Sequence, residues 1–266
     1  MHRPWAYPIQ SRPATLWESL ALVLEWTVGF CPVCRRYVVF RRWTDNFRDS
    51  GFCSHCNSFC RQRQIALVVE HVYRQDHRYA ALADNELVVY NTEARGSLHR
   101  ELSASSRSQY VASEYFGFDV VPGQRFNGTR HEDVQHLSFP SGSIDLVISS
   151  DVWEHVPLPY QAHEEVLRVL KLGGHHVFTV PFHQTQFLDD VRATPNADGA
   201  PSLLKPPIYH SDPMSTDGAL VYTIFSLQML VRLAEIGYST TLHRLYAPRF
   251  GILGNNALVF DAHKTL

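Results

Sequence analysis

Five cysteines, all between residues 31 and 60, constrain this chain more than any other feature. Cys31-Pro-Val-Cys34 is followed, after eighteen residues, by Cys53-Ser-His-Cys56, a C-x2-C-x18-C-x2-C pattern. That spacing suits a four-thiolate zinc site. Each knuckle turns tightly enough for two sulfurs to share one tetrahedral ion, and a hairpin between the knuckles brings the pairs together. A disulfide framework would spread its bridges through a small secreted fold, whereas these thiols crowd one end of 266 residues. Free buried thiols in a reducing compartment are the competing reading. Four sulfurs close the coordination shell, so the ion reads as a structural staple that lets a small segment fold. Cys60 and His55 stand beside the pattern as bystanders.

Charge divides the chain in the same place. Residues 1–80 hold 11 Arg against 6 acidic residues, while the remainder is acidic and the whole is formally −2. A helical N-terminus with a zinc module over 1–80 and a larger domain over 81–266 are therefore expected. Arg35, Arg36, Arg41, Arg42, Arg48, Arg61 and Arg63 surround the knuckles. They read either as a nucleic-acid patch or as neutralisers of the charge of about −2 that four thiolates leave on Zn2+, and the second reading is preferred. The apolar run from Leu16 to Phe30 contains Glu18 and Glu25, too short and too charged to span a bilayer. No secretion signal is visible, so a cytoplasmic protein with no membrane partner is expected.

Local patterns give the elements. Thr15-Leu-Trp-Glu18 is a capping box, after which Leu16, Leu20, Leu24 and Val28 recur every four residues. Ser58 to Tyr73 repeats the pattern with Ile65, Val69 and Val72, and both stripes are expected to pack on the larger domain. Beyond residue 80, strands are predicted at Leu87–Tyr90, Tyr110–Tyr115, Asp145–Ser150, His176–Val180, Thr240–Tyr246 and Ala257–Asp261. Helices fall at Leu158–Leu170, stopped by Leu172-Gly173-Gly174, and at Phe225–Ile236, ended by Gly237. Such alternation implies an α/β fold with a doubly wound, mainly parallel sheet, whose ligands sit beyond the carboxyl ends of the strands. Phe182 to Ala219 is long and Pro-rich, placed where a lid over that crevice belongs.

Two stretches carry a family resemblance. Leu137-Ser-Phe-Pro-Ser-Gly-Ser-Ile-Asp145-Leu-Val-Ile-Ser-Ser-Asp151-Val-Trp-Glu154-His155-Val156 resembles the central signature of class I S-adenosylmethionine-dependent methyltransferases of the type-11-like group. Glu165-Val-Leu-Arg-Val-Leu-Lys-Leu-Gly-Gly174 and Val177-Phe-Thr-Val-Pro181 resemble that family's helix end and following strand. The cysteine knuckles and Ile208-Tyr-His-Ser-Asp-Pro213 are similar to a subgroup with a zinc-binding N-terminus.

The resemblance implies a seven-stranded Rossmann-like sheet and S-adenosyl-L-methionine as cofactor. The family's first-strand loop is glycine-rich; here it is Val89-Tyr-Asn91-Thr92-Glu93-Ala-Arg-Gly96, with a single glycine. Glu93 would meet the cofactor's α-amino group, with Asn91, Thr92 and Gly96 beside it. Glu114 would accept the ribose hydroxyls. Asp133, with Glu132 as a near competitor, would cap the adenine amine. Ser150 and Asp151 would line the crevice after the fourth strand. Methyl transfer to a hydroxyl also needs a group to accept a proton. His155, His183 and His210 are the candidates, with Tyr209, His210 and Asp212 expected to face inward. A small-molecule or sugar-like acceptor is the leading reading. RNA methylation through the basic module, or a non-catalytic binding protein with a degraded loop, are the alternatives.

Overall fold

A computed structural model describes residues 15–75, 86–104, 108–212 and 215–265. The first described element is α1 (Leu16–Leu24), whose capping box is formed: Thr15 Oγ1 accepts from the Glu18 amide at 3.2 Å, and Glu18 Oε2 accepts from the Thr15 amide at 2.9 Å. Glu25, at φ 57°, stops the helix at Leu24, and β1 (Trp26–Cys31) begins one residue later. The stripe expected to pack inward does not. Leu16, Leu20, Leu24 and Val28 are all exposed, because the turn at Glu25 carries the chain from helix to strand before a fourth position can join the helical face. β1 pairs antiparallel with β2 (Arg36–Arg41), which pairs with β3 (Phe52–Cys53).

Next comes α2 (Cys60–Gln75), and here the expected stripe is buried: Ile65, Val69 and Val72 pack with Val68 against the sheet. That sheet has eight strands in the order β17-β18-β9-β8-β4-β5-β7-β6. Its centre is parallel: β4 (Leu87–Asn91) lies between β5 (Ser108–Glu114) and β8 (Ile144–Ser150), and β8 lies against β9 (Leu170–Thr179). The chain leaves β4 for β5 on one side and returns to β8 on the other, which makes a topological switch point between β4 and β8. The eighth strand, one more than expected, comes from a short edge hairpin of β6 (Arg125–Phe126) and β7 (Thr129–His131).

Helices cover both faces. α2 and α3 (Gly96–Ser103) bury Leu146, Ile148 and Val89 on one side. α4 (Pro159–Val169) and α5 (Leu227–Ile236) cover Val147, Phe178 and Phe260 on the other. Adjacent β8 residues thus serve opposite layers, the period of two that a strand buried on both faces requires. α4 ends before the predicted Leu172-Gly-Gly stop, because Leu170 already pairs with Ile144 in β9. Gly174 is needed for a different reason: a Cβ there would lie 3.0 Å from the Asp145 carbonyl oxygen.

Between β9 and α5 the expected lid is a set of short strands: β10 (Phe182–His183), β11 (Asp190–Val191), β12 (Ala193–Pro195), β13 (Pro201–Leu203), β14 (Tyr209–Asp212), β15 (Ser215–Leu220) and β16 (Thr223–Ser226). β17 (Tyr238–Arg244) and β18 (Leu258–Lys264) close the sheet as an antiparallel pair. Their connection crosses to the N-terminal module. Ile252, Leu253 and Ala257 share one core with Phe40, Trp43, Phe47, Cys31 and Cys53. Buried Arg63 seals this seam, donating through Nη2 to the Gly251 carbonyl at 2.7 Å while its guanidinium lies over the Phe40 ring. The two parts are therefore packed through a common interior. The boundary expected at residue 80 lies outside the described residues.

Candidate functional site

The cysteine tetrad is built by local turns. Each knuckle is closed by a residue in the left-handed region, Arg35 at φ 55° and Asn57 at φ 62°. In the second knuckle the His55 and Cys56 amides point at Cys53 Sγ, at 3.4 and 3.5 Å. Cys31 and Cys56 sulfurs stand 3.8 Å apart, and those of Cys34 and Cys53 3.9 Å. Zn–S bonds of about 2.3 Å at tetrahedral angles separate two sulfurs by about 3.8 Å, so the donor set fits zinc. Burial pushes the Cys34 thiol up to about 12, with Cys56 and Cys53 adding to it. Without a cation the four sulfurs cannot all hold negative charge. Cys60 takes no part: fully buried, its sulfur accepts from Gln64 Nε2 at 3.1 Å. His55 is exposed.

The switch point gathers three carboxylates, from Glu93, Glu114 and Asp151. Asn91, at the end of β4, is fully buried, and its Nδ2 donates to the Tyr110 hydroxyl at 2.9 Å. Thr92 donates both its amide and its hydroxyl to the Ile148 carbonyl. Both side chains brace the loop that glycines shape elsewhere in the resemblance. Gly96, at φ 79°, starts α3, and a Cβ there would meet Gln62 Nε2 at 3.4 Å. Half-buried Glu93 accepts no side-chain hydrogen bond among the described residues. Desolvation lifts its carboxyl to about 7, against the pull of Arg61 and with the push of Glu114 and Asp151. Glu114, the last residue of β5, accepts the Ala94 amide at 3.0 Å. Ser150 is buried and pairs with Thr179 at the end of β8.

Asp151 departs from its expected place facing a ligand. Its carboxylate is grasped by two arginines of the N-terminal module: Arg48 Nη1 donates to Oδ2 at 2.6 Å, and Arg61 Nη1 pairs with the same oxygen. Thr179 Oγ1 adds a bond at 2.9 Å. Burial alone would raise this carboxyl; Arg48 and Arg61 outweigh it and hold the group well below the usual carboxylate range. Asp49 completes the cluster, 3.2 Å from Arg61 Nε. Three of the seven arginines, Arg48, Arg61 and Arg63, thus face inward as mortar between module and sheet, a role neither expected reading included. No spacing could have revealed it, since Arg48 and Asp151 stand 103 residues apart.

Glu132 and Asp133 differ sharply. Glu132 is buried and saturated, accepting from Arg130 Nε at 2.7 Å, the Ser138 amide at 2.9 Å and Ser138 Oγ at 2.6 Å. Among the described residues, Asp133 accepts hydrogen bonds from the neighbouring Gln135 amide and side chain, with His136 Nδ1 3.7 Å from its Oδ2. The pair therefore separates into a structural carboxylate and one with capacity for a ligand.

A second cluster forms after β8. Glu154 is fully buried, yet neither of its carboxylate oxygens accepts a hydrogen bond among the described residues. His155 Nε2 and His210 Nδ1 stand 3.7 and 3.6 Å from its Oε1, and the two imidazole rings meet edge to face at 5.0 Å. His155 Nδ1 donates to the Leu220 carbonyl at 2.8 Å. His183, half-buried in β10, is not part of this group. Tyr209, expected inward, is half exposed because β14 turns it to the opposite face from His210. The side chain of Asp212 and all of Pro213 lie outside the described residues. Sequence reasoning undervalued Glu154, which entered only as part of the signature stretch that ends at Val156.

Comparisons with known proteins found several likenesses. Residues 96–178 match the family described as a methyltransferase domain. An uncharacterized methyltransferase of Mycobacterium tuberculosis strain H37Ra is 53% identical over 38 residues, 14% of this chain and 15% of that protein. The chain thus spans about 15% of the length of the curated relatives it matches. An S-adenosylmethionine-dependent methyltransferase from Mesorhizobium loti is similar with a TM-score of 0.43 and 14% identity, over 72% of this chain and 100% of that one. A Burkholderia thailandensis 1,6-didemethyltoxoflavin-N1-methyltransferase gives 0.41 and 15%, over 77% and 78%. The matched stretch runs from α3 through β5 and β8 into β9, the parallel centre of a Rossmann-like sheet. No helix among the described residues is long and apolar enough to cross a membrane.

Proposed function

We propose that the protein is an S-adenosylmethionine-dependent methyltransferase acting on a small-molecule or sugar-like acceptor, with a structural Zn2+ held by Cys31, Cys34, Cys53 and Cys56. The observation that carries the cofactor reading is Glu93: a half-buried carboxyl lifted to about 7 at the topological switch point, with Glu114 beside it. A site like that is completed by a cation, and the cofactor's α-amino group is one. Glu114 would take the ribose hydroxyls, Asp133 the adenine amine, and Asn91, Thr92, Gly96 and Ser150 would shape the wall. Asp151 acts one step away, locking the module against the crevice through Arg48 and Arg61. When bound, the cofactor supplies an electrophilic methyl group on a sulfonium. His155, His183 and His210 are the groups on the acceptor side that can hold or take up a hydroxyl proton.

The inward turn of Arg48, Arg61 and Arg63 favours the small-molecule acceptor over RNA. Of the seven arginines around the knuckles it leaves Arg35, Arg36, Arg41 and Arg42 exposed, and Arg35 already pairs with Glu70 at 3.2 Å. Calorimetric titration with S-adenosylhomocysteine tests the reading: saturable binding is expected, and its absence would move the protein to the non-catalytic class. Salt-sensitive RNA binding would reverse the choice of acceptor.

A further inference from the structure

We infer that Glu154, His155 and His210 form a second metal site, for a divalent first-row transition cation, separate from the cysteine tetrad. One ligand atom from each of the three lies within 4.8 Å of the others. The separations from Glu154 Oε1, 3.6 and 3.7 Å, are too long for hydrogen bonds. They are close to the span of about 3.4–3.6 Å between two ligands that each sit about 2.0–2.2 Å from one ion.

Burial supplies the second argument. Glu154 is fully buried, and among the described residues neither of its oxygens has a hydrogen-bond donor, a costly state for a carboxylate in a folded protein. A cation at the focus of the three side chains would remove that cost directly. The third argument is the support behind His155. Its Nδ1–H is spent on the Leu220 carbonyl at 2.8 Å, so Nε2 carries the lone pair and faces Glu154. Metal-bound histidines are held this way, with the distal N–H on a carbonyl that sets tautomer and ring plane. The backbone is tied at the same place, where the Tyr222 amide donates to the Glu154 carbonyl at 2.7 Å. Two imidazoles and one carboxylate suit zinc, iron, cobalt or nickel rather than calcium or magnesium, which prefer all-oxygen shells.

Three protein ligands leave at least one position open. On the methyl-transfer reading above, on which this last step rests, that position would take an oxygen of the acceptor. His183 would then remain as the proton-accepting histidine. Cation binding itself does not depend on that reading.

The test is a Co2+ titration of metal-stripped full-length protein, followed by optical absorption. Two equivalents are expected: one with the thiolate-to-cobalt charge-transfer band of the cysteine tetrad, one without it. Glu154→Gln and His210→Ala should each weaken the second equivalent by more than about 100-fold, beyond what a merely supporting residue costs, and leave the thiolate band intact. His210 lies on an insertion hairpin outside the core, so that variant keeps the measurement meaningful if Glu154→Gln fails to fold. A parent protein that shows no thiolate-free equivalent, or an equivalent that survives both substitutions, would overturn the site. Calorimetry with S-adenosylhomocysteine on the same samples reports on the methyl-transfer reading alone.

Discussion

The cysteine tetrad and the crevice at the ends of β4, β5 and β8 are both polar sites packed into one molecule, yet they are assembled in opposite ways. The tetrad is drawn from 26 consecutive residues, Cys31 to Cys56, and its geometry is set by two tight turns at Arg35 and Asn57. The crevice draws Arg48 and Arg61 from one end of the chain, Glu93 and Glu114 from the middle, and Asp151 from beyond both. Its charges balance only when the module is docked. A site closed by neighbours can form before the rest of the chain folds, whereas a site closed by remote partners reports on the whole tertiary structure.

The sharpest way to break the comparison is to remove the local site. Cys34→Ser, or chelation of the purified protein, should unfold the module and lower the melting temperature of the whole chain. For structural zinc peptides, binding contributes about 10–16 kcal/mol of folding free energy. Elemental analysis should give one zinc held by sulfur in the parent and none in the variant. Cys60→Ser should retain that zinc, since its sulfur faces Gln64 and the Leu253 carbonyl rather than the tetrad. Zinc lost equally from both variants would contradict the assignment of ligands.

The next effect concerns the docking charges. Arg48→Ala leaves Asp151 buried beside one arginine instead of two, and breaking such a pair costs about 3–5 kcal/mol. Asp151 is depressed in the folded state, so its contribution is complete above the unfolded carboxyl value of about 4 and erodes as the pH falls below it. Denaturant melts of the parent should therefore weaken in acid below about pH 4, and Asp151→Asn should flatten that slope. An unchanged acid limb in the variant would mean that other carboxylates set it.

What the sequence made legible follows the same division. The capping box, the parallel strands, the knuckles and the buried stripe of α2 depend on neighbours within a few residues, and their patterns announce them. The α1 stripe misled because periodicity records which residues are apolar but not where the chain turns; Glu25 ends the helix and leaves Leu16, Leu20 and Leu24 exposed. Asp151 misled for a different reason. Its position at the end of β8 was right, but the two guanidiniums that occupy it come from a region whose docking no local pattern encodes. Histidine abundance hid the cluster as well: His163 and His176 are core side chains packed around Trp153, with His176 held neutral by burial, and composition alone does not separate them from His155 and His210, which only their motifs singled out.

Glu114→Ala sharpens the comparison from the crevice side. Removing the carboxylate frees the Ala94 amide and the proposed ribose contact together, and cofactor affinity should fall by about 1–3 kcal/mol. Zinc content and the melting temperature of the module should stay near those of the parent, because the tetrad closes without Glu114. Affinity equal to the parent's would remove Glu114 from the ribose role.

The smallest effect is the most specific to Glu93. In the free protein its carboxyl is lifted to about 7 by desolvation, so near pH 6 it is largely protonated. A cationic α-amino group binds the ionised form better, so binding must expel that proton whenever it is present. Cofactor affinity should therefore rise with pH through about 7 and level off above it, by up to about tenfold per pH unit on the acid side. Glu93→Gln abolishes the titration and should flatten the profile, with an affinity at pH 8 lower by about 1 kcal/mol, the scale of one partly screened charge contact. The measurement is a set of calorimetric isotherms in buffers of differing ionisation enthalpy, which also counts the protons released. Proton release that persists in Glu93→Gln would assign the titration to another group, and the neighbouring Glu114 would be the next to substitute.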